Sequence, residues 1–387
     1  MKKLEKSVPV IRFKGFSEAW EQRKLEDILD VRSGRDYKHL DSGDIPVYGT
    51  GGYMLSVGEA LSYEEDAIGI GRKGTIDKPY ILNAPFWTVD TLFYTVPKRD
   101  SDLNFIHSIF QKINWKSKDE STGVPSLSKT TINAVSVFTP SCSEQKEIGT
   151  FFNKLDDTIA LHQRKLDTLK QMKKGLLQQM FPKSEEDVPK IRFADFDEEW
   201  YQRKLGEISD KVIEKNKEST YFETLTNSAE YGIISQREFF NKDISNEKNL
   251  NGYYIVREND FVYNPRISNY APVGPIKRNK LGRIGIVSPL YYVFRTFDTN
   301  QSFLEYYFDG TVWHNFMLLN GDSGARADRF AIKDSVLKEM PIPYSTLYEQ
   351  EKISFFLDEI TIIINLHQNK LKKLSSLKKA YLQNMFI

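Results

Sequence analysis

The chain has 387 residues, room for about two or three ordinary domains. Lys and Arg total 54 against 53 Asp and Glu, a formal net charge of +1. That balance excludes a polybasic tail or an acidic disordered chain, and leaves any polyanion affinity to local clusters. Hydrophobic residues at 40% and aromatics at 13% suffice for real cores, and the single cysteine, Cys142, excludes an intramolecular disulfide or multi-cysteine zinc site.

The opening MKKLEKSVPVIRF has lysines but no apolar stretch behind them, so no signal peptide is expected. The first element is a lead-in over residues 9–28, PVIRFKGFSEAWEQRKLEDI. It returns without gaps at 189–208 as PKIRFADFDEEWYQRKLGEI, with 12 of 20 positions identical at an offset of 180.

A variable region follows, residues 29–140. Its candidate polyanion contacts are Arg32, Arg35 and Lys38, Tyr48 in the YGTGGY loop, Arg72, Lys73 and Lys78, then Ser126 and Lys129 in SLSKT. GIGRKG, with Gly69, Gly71 and Gly74, formally matches a dinucleotide-binding loop. Such a loop must open a helix, whereas Pro79 closes the next turn and a strand-like YILNAPFW follows. A glycine turn carrying basic residues toward phosphates is the better reading.

The first long helix is predicted over residues 144–181, bounded by Pro140 and Pro182. It aligns without gaps on residues 349–386, with 17 of 38 positions identical at an offset of 205. Ile148, Phe152, Leu155, Ile159, His162, Leu166 and Leu169 fall at 4-3 spacing, as do Ile353, Leu357, Ile360, Ile364, His367, Leu371 and Leu374. Seams roughly 55 Å long need a partner. Each helix starts acidic and ends basic, so an antiparallel pair is expected, with His162 and His367 meeting at its midpoint.

The second variable region, residues 209–343, shows no obvious similarity to the first, and the stretch between the paired blocks is 25 residues longer in the second half by the difference of the two offsets, 205 − 180. Its candidates are Tyr231, Arg266, Ser268, Asn269, Tyr270, Lys277, Arg278, Arg326 and Arg329. Asn264-Pro265-Arg266 departs from the methyltransferase Asn-Pro-Pro-aromatic motif at its third position. Neither an HExxH nor a Walker A sequence is present. The greasiest run, residues 360–366, is interrupted by Thr361 and Asn365 and is too short for a membrane span. A cytoplasmic protein is expected.

The expected architecture is α+β: two α/β domains in pseudo-twofold arrangement joined by two long antiparallel, coiled-coil-like helices. The boundaries are 1–141, 142–182, 183–343 and 344–387. Alike flanks suggest one scaffold used twice, and unlike middles suggest two readers of different things.

The doubled lead-in IRFxxFxxxW…RKLxxI, each variable region followed by an EQxxI helix, and the LQxMF-type helix ends resemble the specificity subunit of a type I restriction–modification enzyme. The resemblance covers the whole chain. It implies two target-recognition domains, each reading half of a bipartite, asymmetric target in double-stranded DNA, with no catalysis in this chain. It further implies that the helix pair sets the half-site spacing and docks two modification subunits. Candidate helix-pair or docking positions are Phe151, Leu155, His162, Leu166, Met172, Leu177, Phe356, Ile360, His367, Leu371 and Leu382, with Phe151, Met172, Leu177, Phe356 and Leu382 expected to be exposed. S-adenosylmethionine, ATP and Mg2+ would belong to the modification and restriction partners, and no cofactor to this chain. The competing readings are a stand-alone architectural DNA-binding protein and a nucleotide-using enzyme built on GIGRKG.

Overall fold

The computed structural model describes residues 8–183, 186–240, 247–323 and 328–387. They form two compact units, Met1–Lys165 with His367–Ile387, and Leu166–Leu366. The long helices run Cys142–Gln179 and Leu347–Asn384, so each contributes a segment to both units. Both start two residues before the repeat boundary because a hydroxyl stands ahead of each first turn. Ser141 Oγ accepts from Glu144 N at 3.4 Å and Thr346 Oγ1 from Glu349 N at 3.3 Å.

The first unit is built on an antiparallel four-stranded sheet in the order Leu29–Ser33, Leu92–Pro97, Ala67–Gly71, Tyr80–Leu82. Its strands are apolar on the side that meets the helix Leu103–Lys112, where Phe105, Ile106, Ile109 and Phe110 are buried. Asp102 caps that helix by accepting from Phe105 N, and Trp115 beyond it donates its indole N–H to Phe110 O at 2.8 Å. A second sheet holds Ser42–Gly49 between Gly52–Val57 and Trp87–Thr88.

The second unit repeats the core of this plan. Its four-stranded sheet runs Ser209–Lys211, Tyr292–Thr296, Phe261–Tyr263, Ile276–Arg278, again antiparallel throughout. The helix Gln301–Asp309 follows, capped by Asn300, with Trp313 donating to Phe308 O at 3.1 Å. The lead-in strands match too: Glu21–Lys24 pairs with Ser136–Thr139, and Tyr201–Lys204 with Pro341–Tyr344. Variable regions without sequence similarity therefore share strand order, helix placement and a tryptophan latch.

The repeated flanks bind each long helix to its unit. The Arg12 guanidinium clasps Glu144 through two bonds of 2.7 Å, and Arg192 clasps Glu349 at 2.6 and 2.9 Å. Each glutamate is 1% exposed. The next residue fixes the short helix: Gln145 Oε1 accepts from Asp102 N, and Gln350 Oε1 from Asn300 N. Ile11 N donates to Asn384 O at 2.9 Å and Ile191 N to Gln179 O at 3.0 Å. The lead-in thus also grips the end of the helix from the other repeat.

At those ends the chain leaves the helix and drives Met-Phe into the core. Phe386 lies among Trp20, Phe105 and Phe152 in the first unit. Phe181 lies among Trp200, Phe303 and Tyr307 in the second.

Within each unit the two long-helix segments run antiparallel. In the first, Phe151 meets Tyr381, Asp156 pairs with Lys378, and His162 meets His367. In the second, Lys173 donates to Thr361 Oγ1 at 2.8 Å and lies over the Tyr306 ring. Burial there lowers the Lys173 pKa. Heptad residues Ile148, Phe152 and Leu166 are buried, as are Ile353, Leu357, Ile360 and Ile364. Among the described residues no helix is long and apolar enough to cross a membrane.

Candidate DNA-reading surface

The equivalence of the two units extends to the loop that leaves the third strand of each sheet. In the first unit the strand Ala67–Gly71 continues into Arg72-Lys73-Gly74. There Leu127 N donates to Arg72 O, Gly74 N donates to Pro125 O, and Lys73 bridges Ser126. In the second, Phe261–Tyr263 continues into Asn264-Pro265-Arg266-Ile267. Phe330 N donates to Pro265 O, Ile267 N donates to Asp328 O, and Arg266 bridges Arg329. Position by position, Lys73 corresponds to Arg266 and Ser126 to Arg329. Candidates far apart in each variable region are therefore zipped together, twice, at the same place in the fold.

Local chemistry explains both loops. A Cβ on Gly71 would sit 2.0 Å from Thr75 O, and Gly74 has φ +97°. The glycines of GIGRKG thus permit a tight fold-back, and no helix begins within residues 72–79. In the second unit Asn264 Oδ1 accepts from Arg266 N at 3.0 Å while its Nδ2 donates to Asn227 O at 2.9 Å. Asn264 is a buried turn-former that aims Arg266 outward.

The first-unit loop is braced from behind. Asp119 Oδ1 accepts from Ser126 N, Ser121 N and Ser121 Oγ, each at 2.9 Å. These bonds, chiefly that from Ser126, hold the Asp119 carboxyl below its ordinary range. Ser128 caps the short helix that starts at Lys129. Arg72, Lys73, Lys78 and Lys129 are exposed. The Arg72 guanidinium carbon lies 5.7 Å from the Phe93 ring centre.

In the second unit the loop opens onto a cleft of about 540 Å³, whose lining includes Asn227, Asn264, Arg266, Tyr270, Tyr291 and Arg329. Ser268, Asn269 and Tyr270 form its projecting turn, closed by paired backbone bonds between Ser268 and Ala271. Tyr270 is 80% exposed. Tyr231 stands exposed in the hairpin Leu225–Ser228/Gly232–Ser235, edge-on to Phe239. Phe239 and Phe240 line the same cleft and are only partly covered. Sequence reasoning passed over Asn227, Phe239, Phe240 and Tyr291; the adjacent phenylalanines in polar SQREFFNKD were the available signal.

Three predicted contacts are already committed elsewhere. Arg32 bonds Asp30 at 2.8 Å and Glu65 at 2.6 Å, and these carboxylates raise its pKa. Lys277 donates to Asp309 at 2.5 Å, while Arg278 bonds Glu305 at 2.6 and 2.9 Å as well as Ser302. Lys277 and Arg278 thus pin their strand to the helix Gln301–Asp309 instead of joining the cleft, because their long, flexible side chains reach its Asp309 and Glu305 carboxylates. Arg35 and Lys38 are exposed beside the second sheet of the first unit, where Tyr48 is half-buried against Tyr53 and Tyr80. Arg326 lies outside the described residues.

The helix positions also sort. Met172 is 45% exposed and Phe356 36%, although the Phe356 ring meets Phe193. Leu177 is buried at 9%, and Leu382 packs on the first unit's core. Phe151 is half-buried between Phe13 and Tyr381. The expected exposure of Phe151, Leu177 and Leu382 is thereby corrected: they lie near helix ends, which the lead-ins and cores enclose. Leu155 and Leu371 are half-buried. Among the described residues no three His, Cys, Asp or Glu side chains gather as a metal site requires.

Fold and surface together define a duplicated α+β protein that presents the same basic, aromatic-flanked strand-end loop once per repeat. Residues 17–171 match the family model described as the type I restriction modification DNA specificity domain. The chain is 25% identical over 298 residues, 72% of its own length and 68% of the relative's, to the type I restriction enzyme MjaVIII specificity subunit of Methanocaldococcus jannaschii. Its fold matches the S subunit of a type I restriction–modification system from M. genitalium, with a TM-score of 0.65 at 11% identity over 98% of this chain and 99% of that one. The chain is thus similar to the specificity subunits of type I restriction–modification systems, in sequence over 72% of its length and in fold over nearly all of it.

Proposed function

We propose that this chain is the sequence-reading, non-catalytic subunit of a type I restriction–modification complex. Each unit reads one half of a bipartite, asymmetric target in double-stranded DNA. The helix pair sets the half-site spacing and docks two modification subunits, with restriction subunits completing the assembly in the prokaryotic cytoplasm. The observation that carries the reading is the doubled zipper, Lys73 against Ser126 and Arg266 against Arg329. The same pattern of cross-loop backbone bonds carries different side chains in the two units, which suits two half-sites of different sequence. Arginine suits guanine edges and phosphates, asparagine suits adenine edges, and lysine and serine suit the backbone.

In this reading S-adenosylmethionine lies in the modification subunits, and ATP and Mg2+ in the restriction subunits. Everting the target adenine is likewise the partner's task. This chain positions the duplex.

The test is methylation mapping. The chain and its modification subunit, incubated together with S-adenosylmethionine, should methylate adenines in one split sequence, and exchanging either variable region should change only one half of it. The chain alone should methylate nothing. Turnover by the isolated chain, or methylation indifferent to the variable regions, defeats the proposal.

A further inference from the structure

The long helices align without gaps, so every surface position of one has a counterpart 205 residues away in the other. One group of counterparts differs sharply. Phe355, Ile362 and Ile363 on the second helix are 67%, 50% and 40% exposed. Their counterparts on the first helix are Thr150, Asp157 and Thr158. Thr150 and Asp157 are exposed and Thr158 half-buried, so the surface character of the site changes while its place on the helix does not.

Phe355, Ile362 and Leu366 follow one another at i, i+7 and i+11, which puts them on a single helix face with Ile363 at its margin. Leu366 is 62% exposed, and its counterpart Leu161 is a leucine 45% exposed. An exposed leucine is therefore common to both repeats, and in the second it is extended into a stripe. Contiguous exposed apolar side chains mark a contact with a partner, and carboxylates are depleted from the centres of such contacts. Since the stripe continues a feature present in both repeats, its occupant is the partner that both repeats engage.

We propose that the Phe355–Ile362–Leu366 face binds one modification subunit more tightly than the corresponding face of the first helix binds the other. The inference rests on the proposed function. Assembly then proceeds in order: the second-helix face fills first, and the first-helix face, with Asp157 at its centre, fills second.

The experiment titrates the host's modification subunit onto the full chain, followed by native mass spectrometry and sedimentation. Two steps are expected, with dissociation constants separated by roughly 10-fold or more, as for an interface that gains a buried aromatic anchor. A chain carrying Phe355→Thr, Ile362→Asp and Ile363→Thr should bring both steps to the weaker value. The converse chain, with Thr150→Phe, Asp157→Ile and Thr158→Ile, should bring both to the tighter one. Equal steps in the native chain, or a step ratio unmoved by both variants, overturn the asymmetry while leaving the proposed function standing. A chain that dimerises by itself, and ceases to when the stripe is removed, assigns the face to a second copy and also overturns it. Failure of any modification subunit to bind overturns the proposed function together with this inference.

Discussion

His162 Nδ1 lies 2.9 Å from His367 Nδ1, with ring centres 5.0 Å apart, in the first unit. One imidazole must donate and the other accept, so the bond exists only while at least one ring is neutral. Partial burial, then Lys370, His367 and Lys165, lower the His162 pKa from its ordinary 6.5. The folded chain therefore binds fewer protons than the unfolded chain at mildly acid pH. Stability should hold above about pH 6.5 and fall as pH drops from there through the lowered His162 value. His107 and His314 are also lowered by burial and act in the same direction. Thermal unfolding at pH 7.5 and 5.5 should show a smaller acid-side loss for His162→Gln than for the native chain. Superimposable pH dependences would show that the pair carries no such linkage.

The Arg192–Glu349 clasp should be costly to break from one side only. Glu349 is 1% exposed and also accepts the Trp200 indole N–H at 3.0 Å. Arg192→Met leaves its carboxylate buried with a single neutral donor, which should destabilise the second unit by about 3–5 kcal/mol. Arg12→Met should do as much to the first unit, where the buried Trp20 indole nitrogen has no hydrogen-bond partner among the described residues and Glu144 loses both guanidinium bonds. Denaturant unfolding monitored by tryptophan fluorescence measures both. Losses under 1 kcal/mol would mean that the clasp is dispensable.

These clasps explain what the sequence made legible. Arg12, Trp20, Glu144, Gln145 and Phe386 recur as Arg192, Trp200, Glu349, Gln350 and Phe181 because each fills a demanding place: a buried charge, a helix cap, a core ring. Such places tolerate few substitutes, so repetition in sequence revealed repetition in structure. The helix limits were legible to within two residues, the shift reflecting the Ser141 and Thr346 hydroxyls at one end and the Met-Phe turn-in at the other. The shared strand order of the variable regions was hidden, since strands of three to six residues need only be apolar. Charge clusters misled for the same reason: Lys277, Arg278 and Arg32 look like Arg266 in sequence, and only the fold reveals the carboxylates that claim them.

Phe386 and Phe181 offer a sharper test of the exchange between repeats. Each sits at the end of one long helix and fills the core of the unit whose own long helix is the other one. Phe386→Ala should lower stability by about 3–5 kcal/mol. The loss should appear in the first unit, although the substituted residue is 366 positions from Trp20, by 386 − 20. Hydrogen exchange resolved by residue should show faster exchange in Leu103–Lys112 and unchanged exchange in Gln301–Asp309. Phe181→Ala should give the opposite pattern. Uniform acceleration across both helices would mean that the units do not unfold separately.

The zipped loops make distinct predictions for cations that look alike in sequence. Among the described residues, Arg266 and Arg329 have no carboxylate partner, while Lys277 is bonded to Asp309. Arg266→Ala and Arg329→Ala should each weaken binding to the specific duplex. A phosphate contact would show as a salt slope shallower by about 1, and a base contact as relaxed selectivity at one position, worth about 1–3 kcal/mol. Lys73→Ala should do the same for the other half-site. Lys277→Met should instead leave DNA affinity unchanged and loosen the second unit, because the group it abandons is Asp309 on the packed helix. Binding titrations at two salt concentrations, run beside melting curves, separate the two behaviours. If Lys277→Met weakens DNA binding as much as Arg266→Ala, the duplex lies across the helix side of the sheet, and the cleft beside Arg266 is not the reading surface.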